Sequence, residues 1–149
     1  YTTGYFGKWH LGGGDFTPIN QGYDEQVVYN GGGFFSFGKR MDPPQDVANN
    51  VILSEKLTDL SIKFIEKNKH KPFFLFLGHY DVHVQLDAQD DLIQKYLDKP
   101  AVEGYPSNAI YAAMVENVDK SVGRLEKKVA ELGLDENTLL FFSLIMEVW

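Results

Sequence analysis

The chain has 149 residues, a net charge of −7 at neutral pH, 44% hydrophobic and 23% charged residues, and no cysteine. This composition is typical of one globular domain and excludes a disordered chain, disulfide bonds and thiolate metal sites. The negative charge argues against nucleic acid as a partner, so a bound anion has to be held by a local group of cations.

Residues 1–48 are rich in Gly, Asn, Asp and Pro, which predicts loops and short strands that carry a site. The stretch "GYFGKWHLGGG" at 4–14 does not fit a nucleotide P-loop. Thr2 stands where that loop needs glycine, and Trp9 stands where it needs a hydroxyl. In an extended segment Lys8 and His10 project to the same side and Trp9 turns into the core, which suits an anion. The alternative is a surface lysine beside a histidine bonded to a backbone carbonyl.

Residues 49–69 carry apolar side chains at intervals of three and four, which predicts a helix with Leu53, Leu57, Leu60, Phe64 and Ile65 on one stripe. The run "FFLFL" at 73–77 follows Pro72 and predicts a strand that is buried on both faces of a parallel sheet. A helix followed by a buried strand is a crossover unit of an α/β fold.

The segment "HYDVHV" follows that strand, where open α/β sheets place their ligands. If it is extended, His79, Asp81 and His83 share a face and could form a metal triad or an acid/base site. If it is helical, Tyr80 stands where a zinc-protease motif needs glutamate. We favour a third arrangement, in which His79 packs behind the strand and only His83 faces solvent.

Further along, a short helix is predicted at 90–97 and a long one from Ser107 or Asn108 to Leu132, ended by Gly133. The apolar stripe of the long helix is Tyr111, Val115, Val118, Val122, Leu125, Val129 and Leu132. "TLLFF" at 138–142 is the next candidate for a buried strand. Two αβ repeats imply a parallel sheet flanked by helices. The longest apolar run near the C-terminus, 139–146, is too short for a membrane span.

Taken in order, four segments resemble the sulfatase family, whose members hydrolyse sulfate esters. "YTTGYFGKWHLG" resembles the Gly-Lys-Trp-His signature, and "NQGYDEQVVYNGG" the Gly-Phe-Asp segment that follows it. "KPFFLFLGHYDVHVQLDA" resembles the family's strand and histidine loop, and residues 108–142 its long helix and next strand. The resemblance covers nearly the whole chain in family order.

The resemblance implies a partial three-layer αβα sandwich with a mostly parallel sheet, like alkaline phosphatase. Residues 1–149 would be an internal portion of a single sulfatase catalytic domain, without its N-terminal nucleophile segment and its C-terminal part. We therefore expect the isolated fragment to be inactive. By family analogy the protein would be periplasmic, extracellular or lysosomal.

By motif match, Lys8 would bind the sulfate oxygens, and His10 would contact and help to deprotonate a formylglycine hydrate. His83 would bind sulfate or protonate the leaving alcohol. These roles place cations and a proton donor where charge develops in the transition state. The match gives His79 and Asp81 no catalytic role.

Full-length members of the family hold calcium and a formylglycine made from Cys or Ser. The Cys/Ser-x-Pro-x-Arg motif and the paired aspartates would lie upstream of Tyr1. After "LLFFS" the family continues with Asp-Asn-Gly, whereas this chain reads Leu144, Ile145 and Met146. We therefore expect no metal ligands and no formylglycine site here, and the ending "LIMEVW" looks like a truncation or a reading-frame artefact. Gln85 replaces the usual Pro, which affects the loop shape.

The expected substrate is a small-molecule or carbohydrate sulfate ester. Two alternatives stay open. One is a non-catalytic remnant that binds sulfate or another anion through Lys8, His10 and His83. The other is a phosphatase or phosphonate hydrolase of the same superfamily, because sulfate and phosphate are both tetrahedral oxyanions.

Overall fold

A computed structural model describes residues 1–143, so the predicted artefact at 144–149 lies outside the described residues. They form a four-stranded sheet in the order β3-β2-β1-β4. Its strands are β1 (Thr2–Lys8), β2 (Glu25–Tyr29), β3 (Met41–Asp42) and β4 (Phe73–Gly78). Strand β1 pairs in parallel with β2 and β4, and β3 pairs antiparallel with β2. The predicted α/β fold with a mostly parallel sheet is confirmed.

Three helices accompany the sheet: α1 (Leu53–Asn68), α2 (Asp90–Leu97) and α3 (Ala109–Glu131). All three were predicted to within a few residues. Asn108 caps α3 because its Oδ1 accepts a hydrogen bond from the Tyr111 N–H at 3.0 Å. The main core lies between the helices and one face of the sheet, and its fully buried side chains include Tyr29, Phe34, Leu57 and Met114.

The faces of β4 differ from the prediction that both are buried. Leu75 and Leu77 pack against the helix-side core, whereas Phe74 and Phe76 are 49% and 41% exposed. Within residues 1–143 the helices cover only one face of the sheet. The opposite face carries a small cluster of Tyr5, Trp9, Val28 and Tyr23. An unbroken apolar run cannot reveal which of its alternate residues find a partner.

The predicted strand at 138–142 is wrong. After α3 a short 3₁₀ turn, Asp135–Asn137, leads into chain without strand pairing, where Leu139 and Phe141 are 91% and 83% exposed. A strand exists only when a neighbour satisfies its backbone N–H and C=O groups. None of the described residues pairs with this segment, so its apolar sequence alone does not make it a strand.

The buried face of α3 also differs from the predicted stripe. Tyr111 and Val115 are each 46% exposed, and the buried residues of α3 are Ala113, Met114, Asn117, Ser121, Leu125 and Val129. The buried amide of Asn117 donates to Gln89 Oε1 at 3.0 Å, and the buried Ser121 hydroxyl is hydrogen-bonded as well. The helix therefore packs through polar positions that a purely apolar period does not detect.

Candidate active site

The candidate site lies at the carboxyl ends of two neighbouring parallel strands. Lys8 is the last residue of β1, and His79 to His83 follow the end of β4, with Gly7 opposite Gly78 in the register. Parallel strands bring their carboxyl ends to the same edge of a sheet, where α/β folds bind ligands. Two segments that are about 70 residues apart in the sequence thus meet at one edge.

Gly7 makes this junction possible. Its φ is +125°, a region that residues with a side chain rarely adopt, and a Cβ placed on it would lie 1.9 Å from the Gly78 carbonyl oxygen. The two backbones therefore approach each other more closely than any side chain at position 7 allows. The glycine sets the position of Lys8, the residue that follows it.

Lys8 and His83 both contact the ring of Tyr80. The Lys8 Nζ lies 5.1 Å from the centroid of that ring, within the range of a cation–π interaction. The His83 ring lies 5.2 Å from the same ring, centroid to centroid, at an interplanar angle of 57°. Among the described residues, Lys8 forms no ion pair. The structure thus brings a cation without an ion-pair partner in the described residues and an imidazole into contact with the same aromatic ring.

The orientation of His83 is set by a backbone carbonyl. Its Nδ1–H donates to Val84 O at 2.6 Å, because a carbonyl oxygen can only accept. In the neutral ring Nε2 then carries the lone pair, and in the imidazolium Nε2 carries a second N–H. His83 can therefore accept or donate a proton at Nε2 while Nδ1 stays bonded to the backbone.

His10 is not drawn into this group by any contact within residues 1–143. Its side chain is exposed beyond the end of β1. The neighbouring Trp9 is buried as predicted, and its Nε1–H donates to Phe16 O at 2.9 Å. It packs on the face opposite the main core. The role of His10 stays a prediction.

His79 packs behind the strand, as expected, in a directional chain of hydrogen bonds. The Thr58 hydroxyl donates to Ser54 O at 2.6 Å, so Ser121 donates to Thr58 Oγ1 at 2.6 Å and His79 Nε2–H donates to Ser121 Oγ at 2.8 Å. The Nδ1 atom of His79 is buried without a partner among the described residues. Burial lowers the pKa of His79 to about 4, so the ring is neutral at pH 7.

Asp81 is the carboxylate that lies between His79 and His83, and the motif match did not single it out. Both of its carboxylate oxygens are buried without a hydrogen-bond partner within residues 1–143. Burial raises the pKa of Asp81 to about 7 because the charged form is poorly solvated there. No three His, Asp or Glu side chains converge as a metal site in the part of the chain that the structure describes. The donor set at 1–143 therefore does not fit a calcium ion. The chain also has no cysteine from which a formylglycine could be made.

The site is an open edge rather than a closed cavity. A cavity of about 250 Å³ does lie at the seam of α1 and α3, where Ser54, Thr58 and Ser121 line it. Lys8, His10 and His83 do not line that cavity. An open edge leaves Lys8 Nζ and His83 Nε2 free to meet a ligand or another part of a larger protein.

The chain is similar to known proteins in its sequence and in its fold. The Sulfatase family model matches residues 1–143. The arylsulfatase of Hemicentrotus pulcherrimus is 29% identical over 95% of this chain and 28% of its own length. Arylsulfatase G of Rattus norvegicus is 26% identical over 96% of this chain and 32% of its own length. The chain thus spans about a third or less of the curated relatives it matches.

Two solved structures of the protein Ps i-CgsB share the fold. One, in complex with k-i-k-neocarrahexaose, superposes with a TM-score of 0.76 at 24% identity; the other superposes with a TM-score of 0.72 at 26% identity. Each match covers 92% of this chain and 35% of the other. These likenesses confirm the predicted alkaline-phosphatase-like α/β fold. Within residues 1–143, no helix has the length and apolar character needed to cross a bilayer.

Proposed function

The chain belongs to the sulfatase family, and on that premise we propose that it serves the hydrolysis of sulfate esters by holding the sulfate group. Residues 1–149 would form an internal portion of a single catalytic domain. The relatives are about three times longer, so the remaining parts of the reaction belong to other segments of such a domain.

The juxtaposition of Lys8 and His83 on the Tyr80 ring carries this proposal. A permanent positive charge without an ion-pair partner in the described residues attracts an anion strongly at a partly desolvated edge. The imidazole beside it offers a directional N–H at Nε2. Together they form two of the contacts that a tetrahedral oxyanion requires.

In the proposed reaction, Lys8 binds non-bridging sulfate oxygens, where negative charge is concentrated. An oxygen nucleophile that another part of the complete enzyme supplies forms a new bond to sulfur as the S–O bond to the organic group breaks, so the sulfuryl group passes to that nucleophile. The bridging oxygen gains negative charge, and the imidazolium of His83 delivers the Nε2 proton to it. Val84 O keeps the Nδ1–H in place throughout. His10 contacts the nucleophile of the complete enzyme.

Calcium and formylglycine supply the nucleophile and further positive charge in the family, and we assign neither to the described residues. No three His, Asp or Glu side chains converge there, and the sequence has no Cys/Ser-x-Pro-x-Arg stretch. The organic part of the substrate is proposed to be a small molecule or a carbohydrate. The solved complex of Ps i-CgsB with an oligosaccharide supports the carbohydrate class.

Calorimetric titration of the 149-residue chain with inorganic sulfate tests the proposal. We expect millimolar binding that Lys8→Ala weakens at least tenfold, since a charge-assisted contact at such a site is worth about 1.5–3 kcal/mol. Lys71→Ala is the matched control because Lys71 is an exposed lysine that precedes β4, at the opposite end of that strand.

Parallel incubation with an aryl sulfate and calcium separates the alternatives. We expect no turnover by this chain alone. Lys8-dependent sulfate binding without turnover supports the proposal, and tighter binding of phosphate than of sulfate would favour a phosphatase or phosphonate hydrolase. Binding that is equal in the parent and in Lys8→Ala would contradict the assignment of Lys8.

A further inference from the structure

We propose that Tyr80 is a positioning residue of this site, whose ring fixes the Lys8 ammonium and the His83 imidazole relative to each other. This inference rests on the proposed function but concerns a residue to which the family resemblance gives no role. It is carried by two sets of contacts of the ring, one with the main core and one with Lys8 and His83.

One set of contacts anchors the ring. Tyr80 packs against Tyr29 at 5.7 Å and against Phe34 at 5.8 Å between centroids, with interplanar angles of 59° and 74°. Tyr29 and Phe34 are both 0% exposed and belong to the main core. Edge-on and tilted contacts of this kind fix the plane of a ring, so Tyr80 is a rigid part of the core that reaches the site.

The other set of contacts faces the site. Lys8 has a flexible four-carbon stem, and its ammonium lies over the Tyr80 ring without an ion pair in the described residues. The negative face of the ring attracts the charge and restricts the rotamers of the stem. The His83 ring contacts the Tyr80 ring while its Nδ1–H bonds to Val84 O, so the two contacts together restrict the orientation of the imidazole.

The aromatic ring, and not the hydroxyl, carries this role. Among the described residues the Tyr80 hydroxyl forms no hydrogen bond, so Tyr80→Phe keeps every contact named above. Tyr80→Leu keeps an apolar side chain, although a shorter one, and has no π-face. The pair of variants therefore separates the aromatic ring from its hydroxyl, and the matched loss of a ring in Tyr23→Leu controls for loosened packing.

The experiment measures the geometry first, without a ligand. Tyr80 shifts the resonances of nearby protons through its ring current, so we expect the Lys8 ε-CH₂ protons to lie upfield in the parent and in Tyr80→Phe. In Tyr80→Leu we expect them at random-coil positions, and we expect His83 to lose its single Nδ1–H tautomer in long-range ¹H–¹⁵N spectra. Tyr23→Leu, an aromatic deletion on the opposite face of the sheet, is the control for general loosening.

Titration with inorganic sulfate is the second readout. We expect Tyr80→Leu to weaken binding about two- to fivefold, Tyr80→Phe to match the parent, and Tyr23→Leu to leave binding unchanged. Ring-current shifts that follow Tyr80 in a parent that binds no sulfate would support the positioning role while refuting the proposed function. Lys8 protons at random-coil positions in the parent, or equal losses in Tyr80→Phe and Tyr80→Leu, would overturn the role of the ring.

Discussion

Both faces of the sheet carry large apolar side chains, but the two faces differ in packing. On the helix side, Leu57 and Phe34 are 0% exposed, and the same side holds Tyr80 against the core. On the opposite face, Phe74 and Phe76 are 49% and 41% exposed, and their rings contact those of Tyr23 and Tyr5. The helix side therefore holds the larger buried core, and this core also packs against the ring that contacts Lys8 and His83.

The largest effect is expected at the junction of β1 and β4. Gly7→Ala should destabilise the fold by at least about 3 kcal/mol, because alanine disfavours positive φ and its Cβ would collide with Gly78 O. Urea unfolding followed by circular dichroism measures the effect. Gly13→Ala is the control, since nothing lies within 4 Å of a Cβ at Gly13. Equal stability of the two variants would show that β1 and β4 do not approach each other as described.

The buried carboxylate on the helix side should limit stability at high pH. The pKa of Asp81 rises from 3.8 to about 7 on folding, so the folded state keeps a proton that the unfolded state releases. Its contribution to stability therefore falls as the pH rises from about 4 to 7, by at most about 4 kcal/mol. Asp81→Asn should thus be more stable than the parent at pH 8, and no more stable at pH 3.5.

The buried His79 changes the pH dependence of stability in the direction opposite to that of Asp81. Its pKa falls from 6.5 to about 4 on folding, so its contribution is complete above pH 6.5 and is lost as the pH falls toward 4. The parent should therefore show a nearly flat profile of stability between pH 4 and 6.5. In Asp81→Asn the His79 contribution remains alone, and unfolding free energies should rise with pH in that window. A flat profile in Asp81→Asn would refute the burial of a neutral His79.

Truncation of one apolar side chain on each face compares the two faces of the sheet directly. Leu57→Ala should cost about 2–5 kcal/mol because it opens a cavity in the closed core. Phe76→Ala removes more atoms but should cost only about 1–1.5 kcal/mol, because its side chain is already partly in water. Chemical denaturation of both variants measures the difference. A larger loss from Phe76→Ala would mean that something covers the second face of the sheet in this chain.

The smallest effect concerns the ion pair between α1 and α3. Arg124 and Asp59 form a salt bridge in which both side chains are 43% exposed. Arg124→Ala should cost less than about 1 kcal/mol, and the cost should shrink at high salt. Unfolding at low and high sodium chloride measures it. A loss as large as that of Leu57→Ala would show that charge, rather than apolar packing, joins the helix layer.

The sequence predicted the three helices and strand β4 well because their periods, caps and breakers are local, whereas for residues 1–48 it indicated short strands without placing them. The stripe of α1 and the Asn108 cap depend only on neighbouring residues. The predictions that were wrong concern features that depend on residues far away in the sequence. No local pattern reveals that Ser121 and Asn117 form hydrogen bonds. Nor does one reveal that, within residues 1–143, no helix covers Phe74 and no strand pairs with 138–142.

The site was predicted only in part, because motifs are local and the contacts between distant segments are not. Lys8 and His83 were identified by motif, and the structure brings them to the same ring. The sequence analysis proposed no role for Tyr80, because it considered acid/base and metal chemistry only for the two histidines and the aspartate around it. An aromatic residue next to a candidate catalytic residue at a strand end is the signal that could have found it. His10 has no contact in the described residues that tests its role.

The central claim is that Lys8 and His83 hold one tetrahedral anion between them. A crystal structure of the 149-residue chain grown with selenate tests it most directly, because selenium gives an anomalous signal and selenate has the shape of sulfate. We predict one anomalous peak whose oxygens lie about 2.7–3.2 Å from both Lys8 Nζ and His83 Nε2. Selenate bound elsewhere, or Lys8 and His83 on opposite faces of the sheet, would contradict the account.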